Sequence, residues 1–337
     1  NDEVARRNNL IEEKYGIKFE VIGVDYPTDE LDKYVGAGLD EIDIFVDSVD
    51  RMLKFVPQMY FISLDDVMNI NEPWWDSDVM ENLALTDKHY FLSGDALLTD
   101  DDHIYCTLYN KNLYEVNTDI SGKYGDIYQL VKDGKFTLDV FTEMAKAASH
   151  ADANGEWGFN ATYGNLSHAY GATIMMNGCG IEMASKDPNT VLRINVDSTA
   201  AVTAFEKVYA LMSDRHVTQR AELIIGQGSN PSTYGFSELQ EMFVNGRGLF
   251  YNTTTTSISA LKQSTAERDF DFGVLPIPKY DEAQEKYYCP VNRYHSSVIG
   301  IIAGSPYTVA EEEKMIFFTL CLRITSTSVR VPAILFS

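Results

Sequence analysis

Aromatic side chains stand beside carboxylates, amides or guanidinium groups at several points of this chain, a pairing suited to holding a polyhydroxylated molecule. Trp74 and Trp75 are followed directly by Asp76. An aromatic ring can stack on the apolar face of a sugar, and a neighbouring carboxylate can accept two of its hydroxyls. The alternative for this segment is a surface loop pinned by one tryptophan. Trp74 is assigned to that role, and Trp75 is left open between pin and ligand contact. A second group, Asp47, Ser48, Asp50 and Arg51, follows the apolar run Ile42–Val46. Ser48 and Asp50 are taken as ligand candidates, against ordinary loop polarity. A third, Asn292-Arg293-Tyr294-His295, precedes the apolar run Val298–Ile302. Arg293 offers a fork of donors for a hydroxyl or a carboxylate, with a surface ion pair as the alternative.

The same residue types form no catalytic signature. The sequence contains no G-x-S-x-G elbow, no H-E-x-x-H and no P-loop. Gly178-Cys179-Gly180 lacks the third glycine of a dinucleotide fingerprint and follows a helix-like segment instead of a strand. A glycoside hydrolase needs two carboxyls about 5–10 Å apart across a sugar, and among 50 acidic residues neighbouring carboxylates arise by chance. Asp100-Asp101-Asp102 reads as solvated turn, and His150–Gly158 lacks the ordered oxygen ligands of a calcium loop. The four cysteines, Cys106, Cys179, Cys289 and Cys321, show no metal spacing and read as small buried apolar residues. No metal, cofactor or catalytic residue is expected, and binding is preferred to turnover.

Alternating helical and strand patterns must position these groups. Asp2–Tyr15 and Thr28–Leu39 read as helices, Lys18–Val24 and Ile42–Val46 as strands, together a βαβ unit with parallel strands. Ligands gather beyond the carboxyl ends of such strands, which places Asp47–Arg51 there. Ile104–Asn110 is a further strand. Thr137 caps a helix carrying Phe141, Met144 and Ala145, and Ser198 caps one whose stripe is Val202, Phe205, Val208, Tyr209 and Met212. From Leu239 the order is helix, Asn245-Gly246 stop, buried strand Gly248–Tyr251, polar turn, helix Ser257–Lys262 and strand Phe270–Leu275, halted by Pro276 and Pro278.

Length allows two domains, and 45% hydrophobic residues supply a core. The net charge of −23 repels phosphate backbones and anionic membrane surfaces, so nucleic acid is not an expected partner. No run approaches the roughly 18 apolar residues of a membrane span. The chain starts Asn1-Asp2-Glu3 without methionine, so a missing signal segment says nothing about secretion. The final RITSTSVRVPAILFS, Arg323–Ser337, has two arginines and no acid, and is suspected to be out of its native reading frame.

The wording of several segments resembles the carbohydrate-binding group of bacterial extracellular solute-binding proteins of ABC transporters, the group of maltodextrin binders. MFVNGRGLFY followed by DFGVLPIPKY is similar to one lobe-crossing region of that family, and YNKNLYEV to its YNK-x-L segment. HYFLSGD is similar to its YFLPGD turn, and GKFTLDVF to its GKWTWDKF pattern. The resemblance covers most of Asn1–Thr319, with truncation at both ends. It implies a class II, two-lobed periplasmic-binding-protein-like α/β fold, each lobe a mainly parallel sheet flanked by helices and joined by a hinge. The first lobe would comprise 1–109 and 256–303, the second 110–255 and 304–337. Tyr109 and Asn110 would lie at the hinge, Tyr251 and Asn252 at the cleft, and Tyr163, Asn165 and His168 on a cleft-facing loop. His168 also reads as a capping or surface histidine. With Ser48, Asp50, Trp75, Arg293 and Tyr294, the residues Tyr109, Asn110, Tyr163, Tyr251 and Asn252 form the expected ligand set. The implied function is hinge closure on a sugar, with permease subunits as partners, a monomeric state, and a periplasmic or lipid-anchored extracellular location. A polyamine-type cation binder of the same fold and a sugar-cleaving enzyme are the alternatives.

Overall fold

The computed structural model describes residues 2–303 except 17, 19, 25–26, 39–41, 66, 86, 95–96, 98–100, 188–189 and 264–270. The suspected frame change at 323–337, Cys321, Asp100 and the second-lobe assignment of 304–337 therefore fall outside the described residues. The strands are β1 (Ile44–Ser48), β2 (Tyr105–Asn110), β3 (Tyr163–Ser167), β4 (Ala184–Asp187), β5 (Thr190–Ile194), β6 (Thr218–Arg220), β7 (Gly248–Thr254), β8 (Phe272–Leu275) and β9 (Ser297–Ile301). Contacts divide the chain into two compact units, Asn1–His103 with Asn292–Ser337, and Ile104–Val291. The crossings expected at 109/110 and 255/256 lie within the second unit, because β2, β7 and β8 share one sheet.

In the first unit β1 pairs antiparallel with β9, Ile44 opposite Ile301 and Ser48 opposite Ser297. Strand alternation sends their side chains to two faces. Phe45 and Val298 pack with Leu31, Met52, Phe55, Phe61 and Phe91, while Ile299 and Ile301 pack with Leu64, Trp75, Met80 and Leu92. This corrects the expected parallel βαβ unit. Residues 18 and 20–24 form no strand. Alternation there is not backed by burial, since Val21 is 55% and Ile22 42% exposed, and β1 instead takes its partner from the far end of the sequence.

The second unit is built on a five-stranded sheet in the order β6-β3-β7-β2-β8. β3 pairs in parallel with β6 and β7, and β2 runs antiparallel to both β7 and β8. Four strands thus share one direction, and β2 alone opposes them. Helix Leu138–Ala148, capped by Thr137 Oγ1 accepting from the Val140 N–H, lies directly on β3. Gly164 permits that approach, because a Cβ there would stand 1.9 Å from the Ala145 carbonyl oxygen. Phe141 stacks on Phe250 with ring centroids 4.3 Å apart. Helix Thr199–Ser213 is capped by Ser198 as expected, but its core face is Ala201, Ala204, Val208, Leu211 and Met212. Val202, Phe205 and Tyr209 of the expected stripe are exposed. The small alanines allow closer helix packing than the larger side chains, so they win the inner face. Cys106 and Cys179 are buried free thiols, their pKa pushed up to about 12 by burial, which makes them inert.

A row of buried polar side chains crosses this sheet. Thr107 Oγ1 on β2 donates to Asn252 Oδ1 on β7 at 2.9 Å, and Asn252 Nδ2 donates to Asn165 Oδ1 on β3 at 2.5 Å. Asn165 Nδ2 donates to Thr218 Oγ1 on β6 at 3.0 Å, and Thr218 Oγ1 donates to the Leu211 carbonyl at 2.8 Å. None of the four side chains exceeds 2% exposure. Removing one member leaves its neighbours desolvated and unpaired, at about 1–3 kcal/mol per orphaned group. Asn252→Ala orphans groups on both sides, and is expected to cost about 2–4 kcal/mol. Urea unfolding checks this: a lower midpoint with an unchanged slope is expected, and a loss below about 0.5 kcal/mol would show that the row carries no stability.

Candidate functional site

In the first unit, Ser48, Asp50, Arg293 and Tyr294 meet where β1 ends and β9 begins. The Val49 N–H donates to the Ser296 carbonyl at 2.9 Å, and the Asp50 N–H to the Arg293 carbonyl at 3.2 Å, which ties the two segments together. Arg293 Nε lies 3.3 Å from Asp50 Oδ1, its Nη2 donates to the Tyr294 hydroxyl at 2.9 Å, and its guanidinium sits 5.0 Å from the Tyr294 ring centre. His103 and His295 stack 5.4 Å apart in the same unit. Asp50, Arg293 and Tyr294 are exposed, and an ion pair so open to water adds little stability. Ser48 is buried, its N–H donating to Asp47 Oδ1 at 2.6 Å. Trp75 lies apart from this group, 5% exposed in the core with Leu64 and Met80. It is therefore Trp75 that pins the loop, with Trp74 half-buried beside it.

The second unit offers another group. The carboxyl ends of β3, β6 and β7 share one edge of the sheet, and antiparallel β2 brings its amino end, Tyr105, to that edge opposite Thr254. His168, just past β3, contacts three aromatics there. Its ring is 5.9 Å from Tyr170 and nearly parallel to it, 5.3 Å from Phe236 edge-on, and 6.5 Å from Tyr105. Tyr234 adds to Phe236 at 6.3 Å. Tyr105 and His168 are buried and Tyr170 half-buried, while Phe236 is 46% and Tyr234 68% exposed, so the group opens outward. Burial lowers the His168 pKa, with the Glu222 charge opposing, and keeps the ring neutral. Glu222 Oε1 accepts the Ala169 N–H at 2.8 Å beside the group. Neutral aromatic faces flanked by a carboxylate can stack on apolar faces and accept hydroxyl protons.

The other expected residues are placed within the sheet. Tyr109 packs edge-on against Tyr114 and Tyr128, and burial raises its hydroxyl pKa. Asn110 Oδ1 accepts the Leu113 N–H at 3.0 Å, capping helix Lys111–Val116. Tyr163 packs on Trp157, and Tyr251 on Phe243. Asn165 and Asn252 are committed to the polar row. The direction of β2 explains Tyr109 and Asn110: its carboxyl end lies at the edge opposite those of β3, β6 and β7. Sequence reading did not single out Tyr105, Tyr170, Tyr234 or Phe236. The available signal was Tyr234-Gly235-Phe236 in the otherwise polar GQGSNPSTYGF, where aromatics have little reason to sit unless they serve a surface. Among the described residues no group of three or more His, Cys, Asp or Glu could hold a metal ion.

The sequence matches the model of the bacterial extracellular solute-binding protein family over residues 4–314. This chain belongs to that family. Solved structures of solute-binding proteins share its fold. A cyclo/maltodextrin-binding protein complexed with maltotetraose superposes with a TM-score of 0.63 at 17% identity, covering 98% of this chain and 75% of that one. A substrate-binding protein of Listeria monocytogenes in complex with cycloalternan gives 0.57 at 13%, covering 99% and 77%. UgpB from Mycobacterium tuberculosis in complex with glycerophosphocholine gives 0.59 at 13%, covering 96% and 71%. No curated protein matches the sequence. The family supplies the extracellular solute-binding components of ABC transporters, and these neighbours, all two-lobed binding proteins, are α/β folds with sheets flanked by helices, as here.

One buried carboxylate in the first unit, Asp47, is expected to link the stability of this solute-binding protein to pH. Asp47 is fully buried, and its Oδ2 has no hydrogen-bond partner. Burial raises its pKa, only partly offset by the Ser48 N–H and by Arg51, whose Nη1 is 3.5 Å away. The folded state thus holds a proton that the unfolded chain releases near the ordinary carboxylate value of about 4. Stability is expected to fall as pH rises from there through the raised value. Asp47→Asn removes this contribution. Melting curves across that window should show the variant gaining on the unaltered chain as pH rises, and a constant difference would refute the assignment.

Proposed function

We propose that this chain is the solute-binding component of an ABC importer and that its solute is a saccharide. The observation that carries this reading is the aromatic group Tyr105, His168, Tyr170, Tyr234 and Phe236 beyond the carboxyl ends of β3, β6 and β7. In open α/β sheets this edge is where ligands bind. In the first unit, Asp50 and Arg293 would supply an acceptor and donors for hydroxyls, and Tyr294 a further ring. The two units are assigned as the two lobes, with the hinge where the chain passes between them, at 103–104 and 291–292. Within the expected ligand set, Ser48, Tyr109, Asn110, Tyr163, Tyr251 and Asn252 would support the site from within their sheets. The mechanism is hinge closure on the solute, read by permease subunits, in a monomer located in the periplasm or anchored at the cell surface. Converting a 99:1 open population to 1:99 needs about 5.5 kcal/mol of differential affinity, within reach of several ring stacks and buried hydroxyl bonds at about 1 kcal/mol each.

A second reading is a cationic solute. Glu222 beside neutral aromatic rings and the net charge of −23 favour it.

A thermal-shift series with maltotetraose, other oligosaccharides and polyamines separates the two. A saccharide at 100 times its dissociation constant should add about 2.7 kcal/mol, a shift of several degrees. Tyr170→Ala should weaken that saccharide about tenfold or more, the loss of one ring stack of up to about 1.5 kcal/mol with its buried area. A shift with polyamines alone would replace the saccharide reading by the cationic one.

A further inference from the structure

The segment 225–235 leads into helix Phe236–Val244 with almost no apolar anchorage. Ile225 is 49% and Tyr234 68% exposed, and the residues between them, GQGSNPST, carry no apolar side chain apart from Pro231. Two carboxylates on the following helix, three residues apart and therefore on one face, hold it in place. Glu238 is fully buried. Its Oε1 accepts the Gly226 N–H at 2.8 Å, and its Oε2 accepts the Ser232 hydroxyl at 2.8 Å and the Ser232 N–H at 3.2 Å. Glu241 Oε2 accepts the Ser229 N–H at 2.7 Å and its hydroxyl at 2.8 Å. The segment closes at Gly235, whose φ of +76° and whose distance of 2.1 Å from a Cβ position to the Ala221 carbonyl oxygen admit only glycine.

We propose that Glu238 is a positioning residue of the solute site: its carboxylate fixes residues 226–235 so that Tyr234 and Phe236 stand beside His168 and Tyr170. The inference rests on the aromatic group being the solute platform. A carboxylate suits the task because both oxygens are pure acceptors, and every group aimed at them is a donor. Burial by itself would raise its pKa, but the donated hydrogen bonds outweigh that and keep it charged. An amide of the same shape retains one acceptor and turns an NH2 toward a donor. Glu238→Gln is thus a near-isosteric way to open the clamp.

In Glu238→Gln, amide exchange at Gly226 and Ser232 is expected to accelerate about tenfold or more, while Met242 and Phe243 later in the same helix keep their protection. Nuclear Overhauser contacts between the Phe236 and His168 rings should weaken, and maltotetraose affinity should fall about tenfold. Ser232→Ala, which removes one donor to Glu238 together with the Oγ that accepts the Ser237 N–H at 3.2 Å, should reproduce these effects at smaller size. If Glu238 acts through the rings, adding Glu238→Gln to Tyr234→Ala and Phe236→Ala costs no further affinity. Unchanged exchange and ring contacts in both variants would overturn the proposal, as would losses that multiply in the combined variant. Should maltotetraose fail to bind the unaltered chain, the saccharide reading falls for that ligand, and exchange at Gly226 and Ser232 with the ring contacts decides the clamp by itself.

Discussion

The second unit depends on the need to satisfy amides and hydroxyls inside a sheet that water does not reach. Thr107, Asn252, Asn165 and Thr218 each lie on a different strand, and their hydrogen bonds form one line across β2, β7, β3 and β6. Such a line admits one relative offset of the strands, because a shift by one residue turns every member to the opposite face. Apolar packing tolerates many arrangements, whereas a buried polar row with all groups paired tolerates few. Strand order and offset in turn decide which side chains reach the edge where β3, β6 and β7 end. The position of His168 and the rings around it follows from that row.

The first unit solves a different problem with less material. Its described sheet is a single antiparallel pair, and two cores fill its faces. The pairing joins residues about 250 positions apart in sequence, as Ser48 opposite Ser297 illustrates. That closure is what sets Asp50 beside Arg293 and His103 beside His295. Both units therefore place their candidate solute groups at strand ends and spend their in-strand polar residues on structure. A long, nearly apolar-free segment such as 225–235 can be held at such an edge only by specific acceptors, and Glu238 and Glu241 provide them.

Much of this was legible beforehand wherever local physics decides. Helix caps at Thr137 and Ser198, the stop at Asn245-Gly246 and the apolar strands β2, β7, β8 and β9 follow from side-chain reach, left-handed tolerance and β-propensity. The four segments of family wording likewise pointed to the family over nearly its whole length. Where a residue's role depends on what lies opposite it, the reading diverged. Lys18–Val24 alternates like a strand, but its described residues, 18 and 20–24, form none, and Val202, Phe205 and Tyr209 lose the inner face of their helix to alanines. Asn252 and Asn165 look like loop-end ligand donors on the page, yet each finds its partner on a neighbouring strand.

The sequence by itself determined the α/β class, the family, the polar and acidic character that disfavours nucleic acid, and the local start and stop of most helices. These depend on residue types within a few positions of one another, and an order of residues contains that information in full. Only the tertiary structure decided which aromatics gather at one edge, which asparagines are consumed by the sheet, and that Trp75 is a core pin while Tyr234 faces water. Strand direction is the physical reason. β2 runs against its neighbours, so Tyr105 at its start, and not Tyr109 or Asn110 at its end, joins the edge where the other strands finish.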